Sequence, residues 1–100
     1  MKSKSFSHED STKSVSKKFT IKNKLGLHAR PAAIFVETAN RFASDIFVRK
    51  GDKRINGKSI MGLMMLAAGY GTKITLEIEG YDAKEAMLQF EKVFANNFNE

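Results

Sequence analysis

Two periodicities alternate along this chain, and each switch between them marks a boundary. Beginning at Lys18, apolar Phe19 and Ile21 alternate with Thr20 and Lys22, the two-residue period of a half-buried strand. Leu25-Gly26-Leu27-His28 breaks that rhythm. Over residues 29–42 the spacing changes: Ala32, Phe35, Val36 and Ala39 fall at i, i+3, i+4 and i+7, one face of a helix. Pro31 lies in its first turn, where a missing N–H costs nothing. Residues 46–49 are a short β-rich run, Gly51-Asp52 a turn, and residues 53–55 a returning strand. Asn56-Gly57 signals another turn, and Ser59 precedes an apolar run over residues 60–68 that Gly69 and Gly71 close. Ile74, Leu76 and Ile78 alternate with Thr75, Glu77 and Glu79, the clearest strand in the chain, which Gly80 ends. Asp82, with Glu85 three residues on, reads as a helix N-cap with its capping-box partner. Ala83, Ala86, Met87, Phe90, Val93 and Phe94 then trace an apolar stripe at helical spacing.

The predicted order is β-α-β-β-α-β-α, without internal repeat. Short strands and hairpin-like links point to an antiparallel sheet with helices on one face, a two-layer α+β domain. A length of 100 residues allows one domain, and 42% hydrophobic residues allow a small core. Absence of cysteine rules out disulfides, thiolate metal sites and cysteine catalysis, and two histidines are too few for a histidine-rich metal site. No apolar run approaches the ~18 residues of a membrane span, and the polar start does not resemble a secretory signal. A cytoplasmic location is therefore expected.

Charge and composition divide the chain. Residues 1–17 carry six serines and four lysines, with Phe6 and Val15 the only large apolar side chains besides Met1. Such a segment buries too little surface to offset its ordering entropy, and is read as a disordered extension before a folded domain over residues 18–100. His8 lies within it and receives no role. The formal net charge of +6 includes no dense basic run, which argues against a dedicated nucleic-acid arm. A mildly basic domain suits acidic proteins or phosphate.

His28 precedes a predicted helix, with Arg30 two residues on. The first N–H groups of a helix lack internal partners and attract anions. Neutral imidazole is a nucleophile, and a phosphoryl group placed on it there would share its charge with those N–H groups and Arg30. The same spacing also fits a capping or packing histidine beside a surface arginine. Ser59 fits a plain N-cap, or a hydroxyl whose phosphorylation the helix end would tolerate. Ile60, Met61, Leu63, Met64, Met65 and Leu66 leave their helix without a polar face. Either it is buried on most sides, or one side is an exposed apolar patch that marks a partner site. Arg49, Lys50, Lys53, Arg54 and Lys58 form a solvated basic edge or attract an acidic partner.

Gly26-Leu27-His28-Ala29-Arg30-Pro31-Ala32 closely resembles the active-site motif of the histidine-containing phosphocarrier (HPr) family of the bacterial phosphoenolpyruvate:sugar phosphotransferase system. Asn56-Gly57-Lys58-Ser59-Ile60-Met61-Gly62-Leu63-Met64 resembles its regulatory serine motif, in the right order and separation. The resemblance implies an open-faced β-sandwich: a four-stranded antiparallel sheet in order 1-4-2-3 with three helices on one side. It implies a carrier, not an enzyme, without cofactor or metal. His28 would take a phosphoryl group on Nδ1 from Enzyme I and pass it to IIA domains of sugar permeases, with Arg30 stabilising the group in transit. Ser59 would be the target of HPr kinase/phosphorylase, and Leu27, Ile60, Met61 and Met64 would line the docking patch. A monomer is expected.

Two departures stand out. The extension is not part of the usual domain, and Leu25 stands where many sugar-branch members have Ser or Asn, so no side-chain cap can come from that position. His28 itself or backbone groups must serve. The presence of His28 sets aside, as a close match, a regulatory paralogue without that histidine. Asn23-Lys24-Leu25-Gly26 is similar to the nitrogen-branch paralogue, which keeps open a signalling-only phosphocarrier without a sugar-uptake role. An RNA-recognition domain has a similar element order, but its third strand carries aromatics, and Lys53-Arg54-Ile55 has none.

Overall fold

The computed structural model describes residues 13–100. The elements are β1 (Ser14–Thr20), α1 (Ala29–Ala39), β2 (Asp45–Lys50), β3 (Lys53–Asn56), α2 (Ile60–Met65), β4 (Lys73–Glu79) and α3 (Ala83–Ala95), then a 3-10 turn over Asn97–Asn99. The strands form one antiparallel sheet in order β1-β4-β2-β3, as expected for the open-faced sandwich. Strand alternation gives each face its character. Ile46, Val48, Ile74, Leu76 and Ile78 point toward the helices and are buried. From the helices, Ala32, Phe35, Val36 and Ala39 of α1 and Ala83, Ala86, Met87, Phe90 and Phe94 of α3 close the same core. Phe35 and Phe90 pack with ring centroids 4.6 Å apart, so the two long helices meet over the sheet's centre.

Three local expectations are corrected. The first strand starts at Ser14, not Lys18, so residues 14–17 belong to the sheet and not to an extension. Ladder pairing decides this: Val15 lies opposite Ile78 and packs on the core, while Ser14 and Ser16 lie opposite Glu79 and Glu77 on the open face. Polar residues on that face made the segment look unstructured. Residues 1–12 of the expected extension, with His8, lie outside the described residues.

Secondly, Asp82 does not cap α3 with its side chain. Its carboxylate reaches instead to the α1–β2 connection, where it accepts from the amides of Ala43 (2.9 Å) and Ser44 (3.0 Å) and from the Ser44 hydroxyl. Burial pushes this carboxyl's pKa up, but the Ser44 and Ala43 hydrogen bonds outweigh burial and hold it below the usual range. Thirdly, α2 ends at Met65 rather than near Ala68. Ala67 turns left-handed (φ 54°), and the Lys50 ammonium donates to the carbonyls of Leu66 (3.2 Å) and Ala67 (2.9 Å). A cation there satisfies carbonyls that the helix leaves without partners.

Candidate functional site

The connection from β1 to α1 carries the candidate site, and glycine makes its path possible. Gly26 has φ 70°, and a Cβ there would come within 2.5 Å of the Ala68 carbonyl oxygen. That carbonyl accepts from the Leu27 amide at 2.9 Å. The loop is thus tied directly to the segment that follows α2. Leu27, expected in the docking patch, points into the core instead and is 5% exposed. Its neighbour Leu25 is the exposed apolar residue of this loop, at 77%.

His28 is the N-cap residue of α1, with extended backbone (φ −78°, ψ −171°). Its carbonyl accepts from the Ala32 amide at 3.0 Å, the first bond of the helix. The amides of Ala29 and Arg30 precede that bond, and Pro31 has no N–H, so the helix start presents two donors beside the imidazole. The ring itself makes no capping bond. It turns toward the end of the described chain, where Nε2 lies 3.1 Å from Oε2 of Glu100. Among the described residues nothing hydrogen-bonds Nδ1.

Glu100 is held in place from two directions. Asn23, itself buried, donates from Nδ2 to Oε1 of Glu100 (2.6 Å) and to the carbonyl of Asn97 (2.9 Å). Phe98 plugs the core between these contacts, edge-on to Phe94 at 4.9 Å. Asn97, Phe98 and Asn99 all adopt positive φ (50°, 55° and 64°), which reverses the chain and returns Glu100 to the start of α1. His28, Arg30, Lys22, Lys24, Asn23 and Glu100 surround an open pocket of about 720 Å³. The structure therefore brings His28 and Arg30 together, and adds two lysines that favour an anion.

Ser59 is the N-cap of α2, and its hydroxyl accepts from the Gly62 amide at 2.9 Å. Of the helix it starts, Leu63 is buried, whereas Ile60 (42%), Met61 (74%), Met64 (46%) and Met65 (72%) are exposed. The helix without a polar face is an exposed patch. Met64, Leu25 and His28 border one shallow depression, so this patch adjoins the imidazole. The basic edge is mostly committed inside the fold. Arg49 and Arg54 bond to Glu77, Lys50 to the end of α2, and Lys58 to the Phe42 carbonyl (2.8 Å).

Comparison with known proteins identifies the arrangement. The family described as the PTS HPr component phosphorylation site matches residues 15–96. This chain belongs to the HPr family. A phosphocarrier protein HPr from Neisseria meningitidis is 54% identical over 78 residues, covering 78% of this chain and 88% of that protein. An HPr-like protein named Crh, from Halalkalibacterium halodurans, is 59% identical over 73 residues, covering 73% and 87%. Similarity over the domain thus fails to separate the HPr and HPr-like names. The crystal structure of HPr-C-His from Thermoanaerobacter tengcongensis superposes with a TM-score of 0.83 at 45% identity, covering 86% of this chain and 97% of that one. An HPr dimer from the same organism gives 0.70 at 48% identity, covering 82% and 94%. The HPr fold expected from the motifs is the observed one. HPr proteins are phosphocarriers and work with other proteins of the phosphotransferase system. Among the described residues, no helix is long and apolar enough to cross a membrane.

Proposed function

We propose that this HPr-family chain carries a phosphoryl group on Nδ1 of His28, accepted from Enzyme I and delivered to IIA domains. One observation carries this reading: His28 stands at the start of α1 with Nε2 engaged by Glu100 and Nδ1 without a hydrogen-bond partner among the described residues. A carboxylate accepts, so Nε2 carries a proton, and in the neutral ring the lone pair is then on Nδ1. Attack by that lone pair on phosphorus forms the N–P bond, and the donor imidazole leaves with its electron pair. Arg30 and the Ala29 and Arg30 amides offset the charge of the incoming group. Transfer by positioning and charge compensation asks nothing more of a carrier.

Ile60, Met61 and Met64, joined by Met65 and Leu25, form the docking surface, and Ser59 beside it is the site for HPr kinase/phosphorylase. The protein acts in the cytoplasm and works as a monomer, which sedimentation checks. The test of the carrier role is phosphotransfer from phosphoenolpyruvate with Enzyme I and magnesium, read by intact mass beside His28→Ala. One acid-labile phosphoryl group, absent from the variant, supports the role; no addition from an active Enzyme I refutes it. The identity to a protein named Crh favours a second reading, a signalling-only carrier without a part in sugar uptake. Phosphorylation of Ser59 by the kinase, together with failure to phosphorylate any sugar-specific IIA domain, would establish it.

A further inference from the structure

We infer that Glu100, braced by Asn23, is a positioning residue that keeps one proton on Nε2 of His28 throughout the carrier cycle. The inference rests on the phosphocarrier reading and concerns what happens on the far side of the ring from the phosphoryl group. In the free protein, the Nε2–H donates to Glu100 across 3.1 Å. When Nδ1 takes a phosphoryl group, its lone pair enters the N–P bond and the ring becomes an imidazolium. The Nε2 proton stays where it is, and the Glu100 carboxylate becomes its counter-ion. On delivery, the acceptor's lone pair attacks phosphorus, the N–P bond breaks, and its electrons return to Nδ1. The ring then departs as the neutral Nε2–H form, the one Glu100 already holds. No proton enters or leaves in either direction.

The geometry gives the carboxylate a reason to be held firmly. Lys22, Lys24 and Arg30 border the same pocket as His28 and Glu100, so three cations compete for this carboxylate. Glu100 is the acidic side chain that faces the ring against them. An unheld glutamate at a chain position this exposed would pair with those cations instead. The Asn23 amide prevents this by fixing Oε1 at 2.6 Å, which leaves Oε2 to the imidazole. A ring that loses its Nε2 proton while phosphorylated is a poorer leaving group, so the pair keeps the carrier ready to donate at neutral pH.

The test separates this role from the carrier reading by loading the full chain chemically. Potassium phosphoramidate phosphorylates exposed imidazole without Enzyme I, and phosphorus and nitrogen NMR then locate the group on the ring. Phosphoryl loss is followed for the wild type, Glu100→Gln and Glu100→Ala. Glu100→Gln keeps a hydrogen-bond acceptor and removes only the charge. At about pH 8, loss from Glu100→Gln should be roughly 3- to 10-fold slower than from wild type, the size expected of one nearby counter-ion. At about pH 5, where the phosphorylated ring is protonated with or without a partner, the rates should converge. Nδ1 should be the site in the wild type, and Glu100→Ala should expose Nε2 to the reagent. Equal loss rates at the higher pH, or a wild type modified mainly on Nε2, would overturn the inference. Should the wild type show the expected pH profile yet accept nothing from Enzyme I, the positioning role stands and the carrier reading falls.

Discussion

Arg49 and Arg54 stand directly opposite each other across β2 and β3, a like-charge pair that the sheet tolerates because Glu77 of β4 bonds to both. The distances are 3.1 Å to Arg49 and 2.8 Å to Arg54, whose guanidinium also stacks 3.7 Å over the Phe47 ring. Arg54, then Arg49, holds the Glu77 carboxyl below the usual carboxylate range. Glu77→Gln should cost about 0.5–1 kcal/mol in urea unfolding, a modest figure because solvent screens the partly exposed arginines. In that background Arg54→Ala should cost less than it does alone, since the opposed charges are then relieved. Equal costs in both backgrounds would show that Arg54 gains nothing from its pairing with Glu77.

The Asp82 latch predicts an acid-sensitive fold. Its folded pKa is lowered, so its contribution is complete above the unfolded carboxylate's pKa and is lost as pH falls through the folded value. Asp82→Asn removes acceptor capacity at the Ser44 and Ala43 amides and should cost about 1–3 kcal/mol near neutrality. The difference between variant and wild type should shrink as acid protonates the wild-type carboxyl. A difference independent of pH would mean that packing, not the charged acceptor, holds the connection.

Gly26 links the site loop to the end of α2, and both its positive φ and the Ala68 carbonyl exclude a side chain. Gly26→Ala should move the loop relative to Met64. The expected readout is slower phosphotransfer at His28 together with amide shifts at Ala68 and Gly69 in NMR spectra. Shifts confined to residues 25–27 would contradict the link.

At Ser59 two effects can be told apart. Ser59→Ala deletes the cap on Gly62 and should cost about 1 kcal/mol without placing charge beside the patch. Ser59→Asp keeps a cap and adds charge next to Ile60 and Met61. Transfer from Enzyme I should therefore slow in Ser59→Asp more than in Ser59→Ala, although the alanine variant is the less stable. The reverse order would argue that helix integrity, not charge, governs docking.

Much of this architecture can be read from residue order alone, because amphipathic period and turn chemistry are local. The α1 stripe from Ala32 to Ala39 and the β4 alternation from Ile74 to Ile78 place the core where the structure has it. What escaped was set by partners distant in sequence. Residues 14–17 join the sheet only because β4 pairs with them. Asp82 satisfies the local rule for a cap, yet Ser44 competes successfully for its carboxylate. Leu27 adjoins His28 in sequence but alternates to the buried side. Asn23 and Glu100 meet across most of the domain, brought together by left-handed residues that no helical or strand period announces. The His28 motif was legible as chemistry; the carboxylate on its other nitrogen was not.

Met64, at one side of the exposed α2 patch, and the imidazole share one border. If donor and acceptor both dock on that patch, occupancy is mutually exclusive: a seated donor blocks the acceptor, and each cargo crosses only after one partner has departed. Throughput is then limited by residence time as much as by chemistry, and a tighter grip would slow the relay. Flexible methionine side chains suit such brief, serial engagement, because they conform to unlike surfaces without holding any of them for long.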